Sequence, residues 1–462
     1  MRLARVRRRK HFLLLAIAAV LLTTMMSATA APGDLDPTFD GDGKVTTHFI
    51  YTEEARGVAI QSDGNVVAAG VAICEPCLGP VKPHDFALAR YNRDGSLDTT
   101  FDGDGKVTTD FSAREDEAFA VAIQGDGKIV AAGSSIGPGA LDFALARYNA
   151  DGSLDTTFDG DGKVTTDFAG GDDQARGVAI QKDGKIVAAG VAVTAACIPC
   201  DGPATENFGL ARYNLDGSLD TSFGFFGTQV TDFGGPDEAR GISIQTDGLI
   251  VAAGVTICDP CVLPVIPVPH DFALARYEAG GSPDTTFGQG GTVRTDFEGN
   301  DDEAFGVAVQ GDGKIVAGGS ATPSEGAGTV FALSRYSTDG SLDGEFDVDG
   351  KVLTAFSGSD QARGVAIQRD GKIVAAGLAC ANCFAGSEFG VARYTLKGSL
   401  DTTFSGDGLV MADFGFANDQ ALAVALQTDG KIVAAGVAGD DFALTRYKVC
   451  RVSSRRSSIP CR

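Results

Sequence analysis

Ten cysteines are the first residues of this 462-residue sequence whose spacing suggests chemistry. Eight form four Cys-x-x-Cys pairs: Cys74 with Cys77, Cys197 with Cys200, Cys258 with Cys261, and Cys380 with Cys383. The other two, Cys450 and Cys461, lie near the C-terminus. The spacing suits local disulfides, zinc sites or thioredoxin-like redox centres.

The surroundings of these pairs favour one of the three interpretations. Zinc is supported by His84 and His270, but two of the pairs have no such histidine. A redox pair normally opens a helix, and no helix is predicted here. Together with the secretory N-terminus described below, the even count favours disulfides for all ten cysteines.

Acidic residues form a second set of candidates. One of them precedes the second apolar segment in every unit of an internal repeat: Glu53, Asp116, Asp173, Asp237, Asp302, Asp360 and Asp419. Four units carry an arginine three residues later: Arg56, Arg176, Arg240 and Arg363. If the units surround a channel, we expect both sets at one mouth of it, where clustered carboxylates attract a cation or a basic group. A carboxylate that caps a turn, paired with its arginine, is the competing and simpler interpretation. No catalytic residue and no resident metal site is assigned.

The segment Asp-Gly-Asp-Gly, within residues 97–111 and 154–168, raises the question of calcium. Calcium takes about six to eight oxygen ligands. Where the first three units read FDGDGK, units four and five read FGFFGT and FGQGGT and have no carboxylate. One glycine is present in all seven units: Gly43, Gly105, Gly162, Gly227, Gly291, Gly350 and Gly408. A glycine-dependent turn therefore explains the segment better. No cofactor is expected, and weak calcium binding in units one, two, three and six stays open.

These residues belong to a unit that the chain repeats seven times. The phenylalanine of its LDTTF segment marks each copy, at intervals of 57 to 65 residues: Phe39, Phe101, Phe158, Phe223, Phe287, Phe346 and Phe404. Each unit has four short apolar or alternating segments separated by turn residues, without a helical period. In the third unit they are 162–168, 175–181, 185–191 and 208–214. Asp-Gly joins the second and third segments in every unit, which is typical of a β-hairpin.

Four strands repeated seven times predict an all-β fold, a seven-bladed β-propeller with four antiparallel strands per blade. The outermost strand of each blade then comes from the start of the following unit. The N-terminal outer strand, residues 44–49, has no blade of its own, and the last blade lacks an outer strand. We expect the two to pair, because this closes the ring and removes an exposed edge.

Several motifs also resemble a known family. The segments NADGSLDTTF, AIQKDGKIVAAG and FALARY, and the glycine before KV, are similar to the delta-60 repeat family of bacterial secreted or surface proteins. The resemblance covers residues 35–448. It implies a β-propeller fold and a location outside the cytoplasm. It implies no activity, substrate or catalytic residue.

The N-terminus is typical of a secretory signal peptide. Six basic residues precede the apolar segment FLLLAIAAVLL, and residues 28–30 offer a cleavage site. An uncleaved membrane anchor is the alternative, although the apolar segment is short for a membrane span. We expect a signal peptide at 1–31, a propeller at 32–449 and a basic, cysteine-containing tail at 450–462. The expected location is secreted, cell-surface or periplasmic.

The charge of the chain argues against some partners. The formal net charge is −23, and it becomes −29 without residues 1–31, which hold six of the 38 basic residues and none of the 61 acidic ones. A surface of this charge repels phosphate backbones and anionic membranes. We therefore expect no nucleic-acid partner and no membrane insertion after signal cleavage.

Two functions fit these observations. The regular arrangement of polar residues favours a secreted, non-catalytic binding or scaffold module, a monomer that offers one face of the ring to an unknown extracellular ligand or protein. The alternative is an extracellular hydrolase or lyase that uses carboxylates at the channel mouth. Serine chemistry is not indicated, because the Gly-x-Ser-x-Gly match at 133–137 is followed by Pro138 and Gly139 instead of a helix.

Overall fold

The computed structural model of the chain describes residues 31–49, 52–73, 84–111, 115–137, 139–194, 205–257, 269–324, 328–356, 358–382 and 386–449. Within these ranges it contains 28 β-strands and no helix. The predicted signal peptide, except its last residue, the predicted tail and nine of the ten cysteines lie outside the described residues. The described segments include no apolar helix of membrane-spanning length.

The strands occupy four radial positions. The inner strands are β2 (Thr52–Ile60), β6 (Asp116–Ile123), β10 (Gln174–Ile180), β14 (Asp237–Ile244), β18 (Asp302–Val309), β22 (Gln361–Ile367) and β26 (Asp419–Leu426). The second strands are β3 (Val66–Ile73), β7 (Ile129–Ile136), β11 (Ile186–Thr194), β15 (Ile250–Ile257), β19 (Ile315–Ala321), β23 (Ile373–Asn382) and β27 (Ile432–Ala438). The third strands are β4 (His84–Tyr91), β8 (Leu141–Tyr148), β12 (Thr205–Tyr213), β16 (His270–Tyr277), β20 (Val330–Tyr336), β24 (Gly386–Tyr394) and β28 (Asp441–Tyr447). The outer strands are β5 (Lys106–Thr109), β9 (Lys163–Thr166), β13 (Thr228–Thr231), β17 (Thr292–Thr295), β21 (Lys351–Thr354), β25 (Leu409–Ala412) and β1 (Lys44–Thr47).

Each blade is one antiparallel sheet of four strands. Blade 1 has the order β2-β3-β4-β5, and blades 2 to 6 follow the same order along the chain up to β22-β23-β24-β25. Blade 7 has the order β26-β27-β28-β1 and so combines the two ends of the propeller. Its outer pair has the register Lys44↔Thr445 to Thr47↔Phe442. The predicted seven-bladed all-β fold, with closure by the N-terminal outer strand, is confirmed.

Residues that recur in every unit hold neighbouring blades together. In blade 2, the buried Arg147 places its Nε 2.7 Å from Asp155 Oδ2, and its Nη1 donates to the carbonyl oxygen of Leu215 in blade 3 at 2.6 Å. Tyr148, the next residue, donates its hydroxyl hydrogen to Thr109 Oγ1 of blade 1 at 2.7 Å. The Arg-Tyr pair therefore links three consecutive blades, which explains its repetition without any catalytic role.

Every inner strand contains a β-bulge. In β2 the extra residue is Arg56, between Ala55 and Gly57, which pair with adjacent residues of β3. The other six inner strands have the same shift, at Phe119, Arg176, Arg240, Phe305, Arg363 and Leu422. The bulge requires a glycine in the second strand, because a Cβ on Gly70 would lie 1.8 Å from the carbonyl oxygen of Glu54. This contact accounts for the glycine of the recurring VAAG segment.

The FDGDGK segments form tight turns. In the second unit, Asp102 adopts a positive φ of 49° and Gly105 one of 90°. Asp104 Oδ1 accepts the backbone N–H of Lys106 at 2.9 Å. Gly224 replaces the first aspartate in the fourth unit and has the same φ of 49°. The last aspartate of the segment accepts the backbone N–H two residues later in units one, two, three, six and seven, so these acids shape turns.

Candidate functional site

The seven inner strands surround a channel that contains a cavity of about 830 Å³. A bulge changes the direction of a side chain, and here it turns one side chain of each inner strand into this cavity. These seven residues, called the bulge ring, are Arg56, Phe119, Arg176, Arg240, Phe305, Arg363 and Leu422. The residues two positions earlier in six blades, called the flanking ring, also line the cavity: Glu54, Glu117, Gln174, Glu238, Glu303 and Gln420.

The seven recurring acids do not line this cavity. They are fully buried: Glu53, Asp116, Asp173, Asp237, Asp302, Asp360 and Asp419. One oxygen of each accepts the backbone N–H of a phenylalanine four or five residues earlier, as Asp302 Oδ2 does from Phe297 at 2.6 Å. Successive residues of a strand face opposite sides, so the acid faces away from the channel when the next residue faces into it. The seven acids are therefore placed as the turn-capping interpretation predicts, and they do not form the ring of acids that we expected at the channel mouth.

The four predicted arginines do line the cavity, and two of them are neutralised there. Arg56 Nε lies 3.1 Å from Glu54 Oε2, and its Nη1 lies 2.6 Å from Glu117 Oε2. His84 Nδ1 lies 2.9 Å from the other oxygen of Glu117. Burial raises the pKa of Glu117, but the Arg56 guanidinium and His84 outweigh it and hold that pKa below its ordinary value. Glu117 is therefore ionised at neutral pH.

Blade 4 repeats this arrangement. Arg240 Nε lies 3.1 Å from Glu238 Oε2, and Arg240 Nη1 lies 2.8 Å from Glu303 Oε2. His270 Nδ1 lies 3.2 Å from Glu303 Oε1. The two histidines that the sequence connects with zinc thus each contact a glutamate of the flanking ring.

Arg176 and Arg363 differ from the other two arginines. Neither forms an ion pair within the described part of the chain, and the Nε of each is buried with no hydrogen-bond partner there. Arg363 Nη2 donates to Gln361 Oε1 at 2.6 Å. Burial lowers the pKa of both side chains, although an arginine stays protonated at any ordinary pH. Two positive charges in the cavity therefore have no carboxylate partner among the described residues.

Two phenylalanine rings support these arginines. The Phe119 ring centroid lies 4.9 Å from the guanidinium carbon of Arg56 and 4.8 Å from that of Arg176. The Phe305 centroid lies 4.7 Å from Arg240 and 4.1 Å from Arg363. Stacking on an aromatic ring holds a guanidinium in place through cation–π attraction and leaves its N–H edge accessible. Each phenylalanine therefore connects a paired arginine with an unpaired one.

The channel is asymmetric in a regular way. Each inner strand contributes a pair of residues, namely the residue after the recurring acid and the bulge residue. These pairs are Glu-Arg, Glu-Phe and Gln-Arg in blades 1 to 3, and the same three pairs recur in the same order in blades 4 to 6. Blade 7 carries Gln420 and Leu422. Sequence reasoning did not select the flanking ring. The sequence pattern that could have identified it is the alternation of faces along a strand, which places the residue after each acid on the channel side.

Cys380 is the one cysteine within the described residues. It lies in β23, is buried and is not a free thiol. Its predicted partner, Cys383, lies outside the described residues. The same holds for the other eight predicted disulfide cysteines: Cys74 and Cys77, Cys197 and Cys200, Cys258 and Cys261, Cys450 and Cys461. All of these disulfides stay predictions.

Known sequences agree with this architecture. Six segments of the chain match the family model described as "Domain of unknown function (DUF5122) beta-propeller": residues 83–101, 124–158, 201–223, 269–287, 310–346 and 368–404. The chain is a β-propeller repeat protein. No curated protein matches its sequence.

Several solved structures are similar to this propeller repeat protein. One is a protein of unknown function from Dyadobacter fermentans DSM 18053, with 13% identity, a TM-score of 0.41, and coverage of 88% of this chain and 100% of that one. Another is Sqt1 of Chaetomium thermophilum bound to the N-terminus of ribosomal protein L10, with 12% identity, a TM-score of 0.45, and coverage of 87% of this chain and 98% of that one. A third is a PL25 polysaccharide lyase, an ulvan lyase bound to -[GlcA(1-4)Rha3S]-, with 11% identity, a TM-score of 0.46, and coverage of 87% of this chain and 95% of that one. None of these similarities carries an argument about function.

Proposed function

We propose that the protein is a non-catalytic binding module that takes an anionic ligand into its central channel. The observation that supports this proposal is the pair Arg176 and Arg363, two positive charges in the cavity without a carboxylate partner among the described residues. A partly desolvated charge without a counterion costs free energy. A ligand carboxylate, sulfate or phosphate supplies that counterion and can accept two parallel N–H bonds from one guanidinium.

The two arginines suit one ligand with two anionic groups. Burial lowers the pKa of Arg363 most, and the charges of Arg240 and Arg176 lower it further, against the opposing effect of Glu303. Arg176 is therefore near enough to Arg363 to act on it through the cavity. The rings of Phe119 and Phe305 provide apolar surface beside each guanidinium, and a cavity of about 830 Å³ is large enough to hold a small molecule.

The enzymatic alternative, an extracellular hydrolase or lyase, needs a carboxyl that is protonated near neutral pH. Glu117 and Glu303 do not meet this need, because burial raises the pKa of each but Arg56 and Arg240, respectively, together with a histidine, hold it low. Glu206 is the carboxyl that favours the alternative. It is an exposed residue of β12 that does not line the cavity, and partial desolvation and the nearby Glu238 raise its pKa, against the opposing effect of Arg176. If the protein cleaves acidic glycans, Glu206→Gln should abolish the cleavage, measured as the formation of shorter products.

We also propose that the protein acts outside the cytoplasm as a monomer, as a member of the delta-60 repeat family. The signal-peptide pattern of residues 1–31 and the quoted repeat motifs support this proposal. The strongly negative net charge supports a partner other than nucleic acid. The partner is then an extracellular ligand or protein with local anionic groups that reach the channel despite the overall charge.

Titration calorimetry on the mature protein tests the anion proposal. The probes are citrate, glucuronate, inorganic phosphate and sulfate, with glucose and spermidine as neutral and cationic comparisons. We expect at least one anion to bind. The double variant R176Q/R363Q should weaken that binding at least about tenfold, because a hydrogen bond to a charged group contributes about 1.5–3 kcal/mol.

The matched control is Arg369→Gln, which changes an exposed arginine of blade 6 outside the channel. This variant should bind as the wild type does. Equal loss of affinity in R369Q and in the double variant would point to a general charge effect and contradict the proposal. Binding of spermidine with no binding of any anion would also contradict it and would support the cationic ligand expected from the acids.

A further inference from the structure

Carboxylates from two neighbouring blades meet on the side of the inner strand that faces away from the channel. At the junction of blades 4 and 5 these are Asp271 at the start of β16, Asp296 just after β17 and Asp302 at the start of β18. One potential ligand atom of each lies within 4.8 Å of those of the other two. Blade 4 thus provides two carboxylates and blade 5 the third.

Asp302 has an unusual environment for a carboxylate. It is 0% exposed, and its Oδ2 accepts the Phe297 N–H. Its Oδ1 is buried and has no hydrogen-bond partner among the described residues. The Thr322 N–H lies near enough to lower the pKa of Asp302 slightly, but it donates to the carbonyl oxygen of Asp301 at 3.0 Å. A buried oxygen without a donor is costly, and one oxygen of this carboxylate also lies within 4.8 Å of ligand atoms of Asp271 and Asp296.

The electrostatic cost of ionising Asp302 is expressed in its pKa. Burial raises the pKa of Asp302 to about 7, and the charges of Asp296 and Asp271 contribute to the rise. Lysine does not relieve the cluster, because Lys351 Nζ donates to the carbonyl oxygen of Asp296 at 3.1 Å, away from the carboxylates. Arg294 donates to the carbonyl oxygen of Phe233. Burial and the charge of Asp296 still raise the pKa of Asp271, although the charges of Arg294 and His270 oppose the rise. The cluster therefore lacks a counterion in contact with it in the described part of the chain.

We propose that Asp271, Asp296 and Asp302 bind a calcium ion that joins blade 4 to blade 5. All three ligands are oxygens, which favours a hard cation over zinc or copper. Oxygens at about 2.3–2.6 Å from calcium lie at most roughly 5 Å apart, so the observed spacing fits calcium. This site is separate from the anion site in the channel and does not depend on it.

A related cluster in the same protein shows what the proposed site adds. Asp142, Asp167 and Asp173 also have ligand atoms within 4.8 Å. Both oxygens of Asp173 accept backbone N–H groups, from Phe168 at 2.8 Å and from Val193 at 2.8 Å. Because its buried oxygens are already satisfied, we expect this cluster to bind calcium more weakly than the Asp302 cluster.

Calorimetry and thermal unfolding with CaCl₂, after removal of metal with EDTA, test the proposal on the mature protein. We expect calcium binding and a rise in the melting temperature. Asp302→Asn should reduce calcium affinity at least tenfold. Asp296→Asn, at an exposed residue whose side chain accepts only local backbone N–H groups, should do the same if D302N fails to fold. Glu278→Gln, at an exposed residue of blade 4, is the control and should bind as the wild type does.

The outcomes separate clearly. Loss of affinity in D302N and D296N but not in E278Q supports the site. No calcium-dependent shift of the wild type at millimolar calcium overturns the proposal, as does unchanged affinity in D296N. A larger loss in Asp173→Asn than in D302N also overturns it, because calcium would then occupy the related cluster.

Discussion

Arg147 and Arg176 show two uses of the same side chain. Arg147 is buried beside Asp155, with an Nε–Oδ2 distance of 2.7 Å, and every repeat unit has its equivalent. Arg176 occurs in the bulge ring, has no carboxylate partner among the described residues and lies over a phenylalanine. The first arginine stabilises the fold, whereas the second keeps a charge available at some cost to stability.

Replacement of these arginines by glutamine should therefore have opposite consequences. R147Q leaves Asp155 buried with Lys128 as its remaining cationic partner and should lower the free energy of unfolding by about 1.5–3 kcal/mol. R176Q removes a partly desolvated charge and loses one cation–π contact, so the free energy of unfolding should stay within about 1 kcal/mol of wild type. Urea unfolding measures both. A loss in R176Q as large as that in R147Q would mean that Arg176 is structural.

At the level of single residues, the sequence identified the four channel arginines but misplaced the acids beside them. An acid that recurs in every unit is visible in the sequence, whereas the side of the strand that it faces depends on the strand's orientation. Glu53 and Glu54 are adjacent and both acidic, and only Glu54 lines the cavity. The lack of a partner at Arg176 depends on three neighbouring blades, so no local pattern could have revealed it.

Among the structural elements, the bulge connects fold to site. It turns Arg56 and its equivalents towards the channel, and it brings a carbonyl oxygen against a glycine of the second strand. In blade 2, a Cβ on Gly133 would lie 1.8 Å from the carbonyl oxygen of Glu117. The bulge and the glycine are therefore parts of one structure.

Two glycine substitutions in blade 2 test this connection. Gly133→Ala should destabilise the protein by about 1–3 kcal/mol or more, because the backbone must move to remove the overlap. Gly125→Ala is the matched control, since a Cβ there meets no atom within 4 Å and its φ is not positive. It should be neutral or stabilise by about 0.4–1 kcal/mol through the unfolded state. Thermal unfolding compares them, and equal effects would contradict the proposed contact.

The strands themselves were predictable, because alternating and apolar segments bounded by Asp-Gly turns have few other solutions. The bulges were not predictable from the sequence. The channel face of the inner strand carries both polar and apolar residues, so one extra residue in ARGVAIQ does not disturb a recognisable alternation. The order of blades and the closure by β1 followed from counting strands per unit. The bulges and the side-chain contacts between neighbouring blades needed the structure.

At the level of the whole molecule, seven buried aspartates hold the arginines that link the blades. Each lies beside the arginine of an Arg-Tyr pair: Asp36, Asp98, Asp155, Asp220, Asp284, Asp343 and Asp401. Burial raises their pKa, but hydrogen bonds from lysine, threonine or serine and the arginine charge outweigh it. The pKa is therefore lowered in all seven, to about 2 in Asp36 and Asp401.

This lowering gives stability a defined dependence on pH. A carboxyl whose pKa is lower in the folded chain stabilises it fully above its ordinary pKa of about 3.9 and loses this effect as the pH falls towards 2. We expect the urea midpoint to drop steeply between about pH 5 and pH 3. Asp155→Asn should lower the midpoint at pH 7 and make the acid-side slope shallower. A midpoint that does not change over this range would contradict the stabilising role of the aspartates.

Closure by β1 also has a mechanical consequence. Lys44 lies opposite Thr445 and Thr47 opposite Phe442, so residues 31–43 and 448–449 leave the ladder at the same end. Tension applied between them loads the hydrogen bonds one after another, as in a zipper, instead of shearing all of them together. The isolated bridge Leu35↔Tyr447 and the Asp36–Arg446 ion pair bear the load first. Under tension the propeller should therefore come apart first at the outer edge of blade 7, at low force, while the other six blades are still intact.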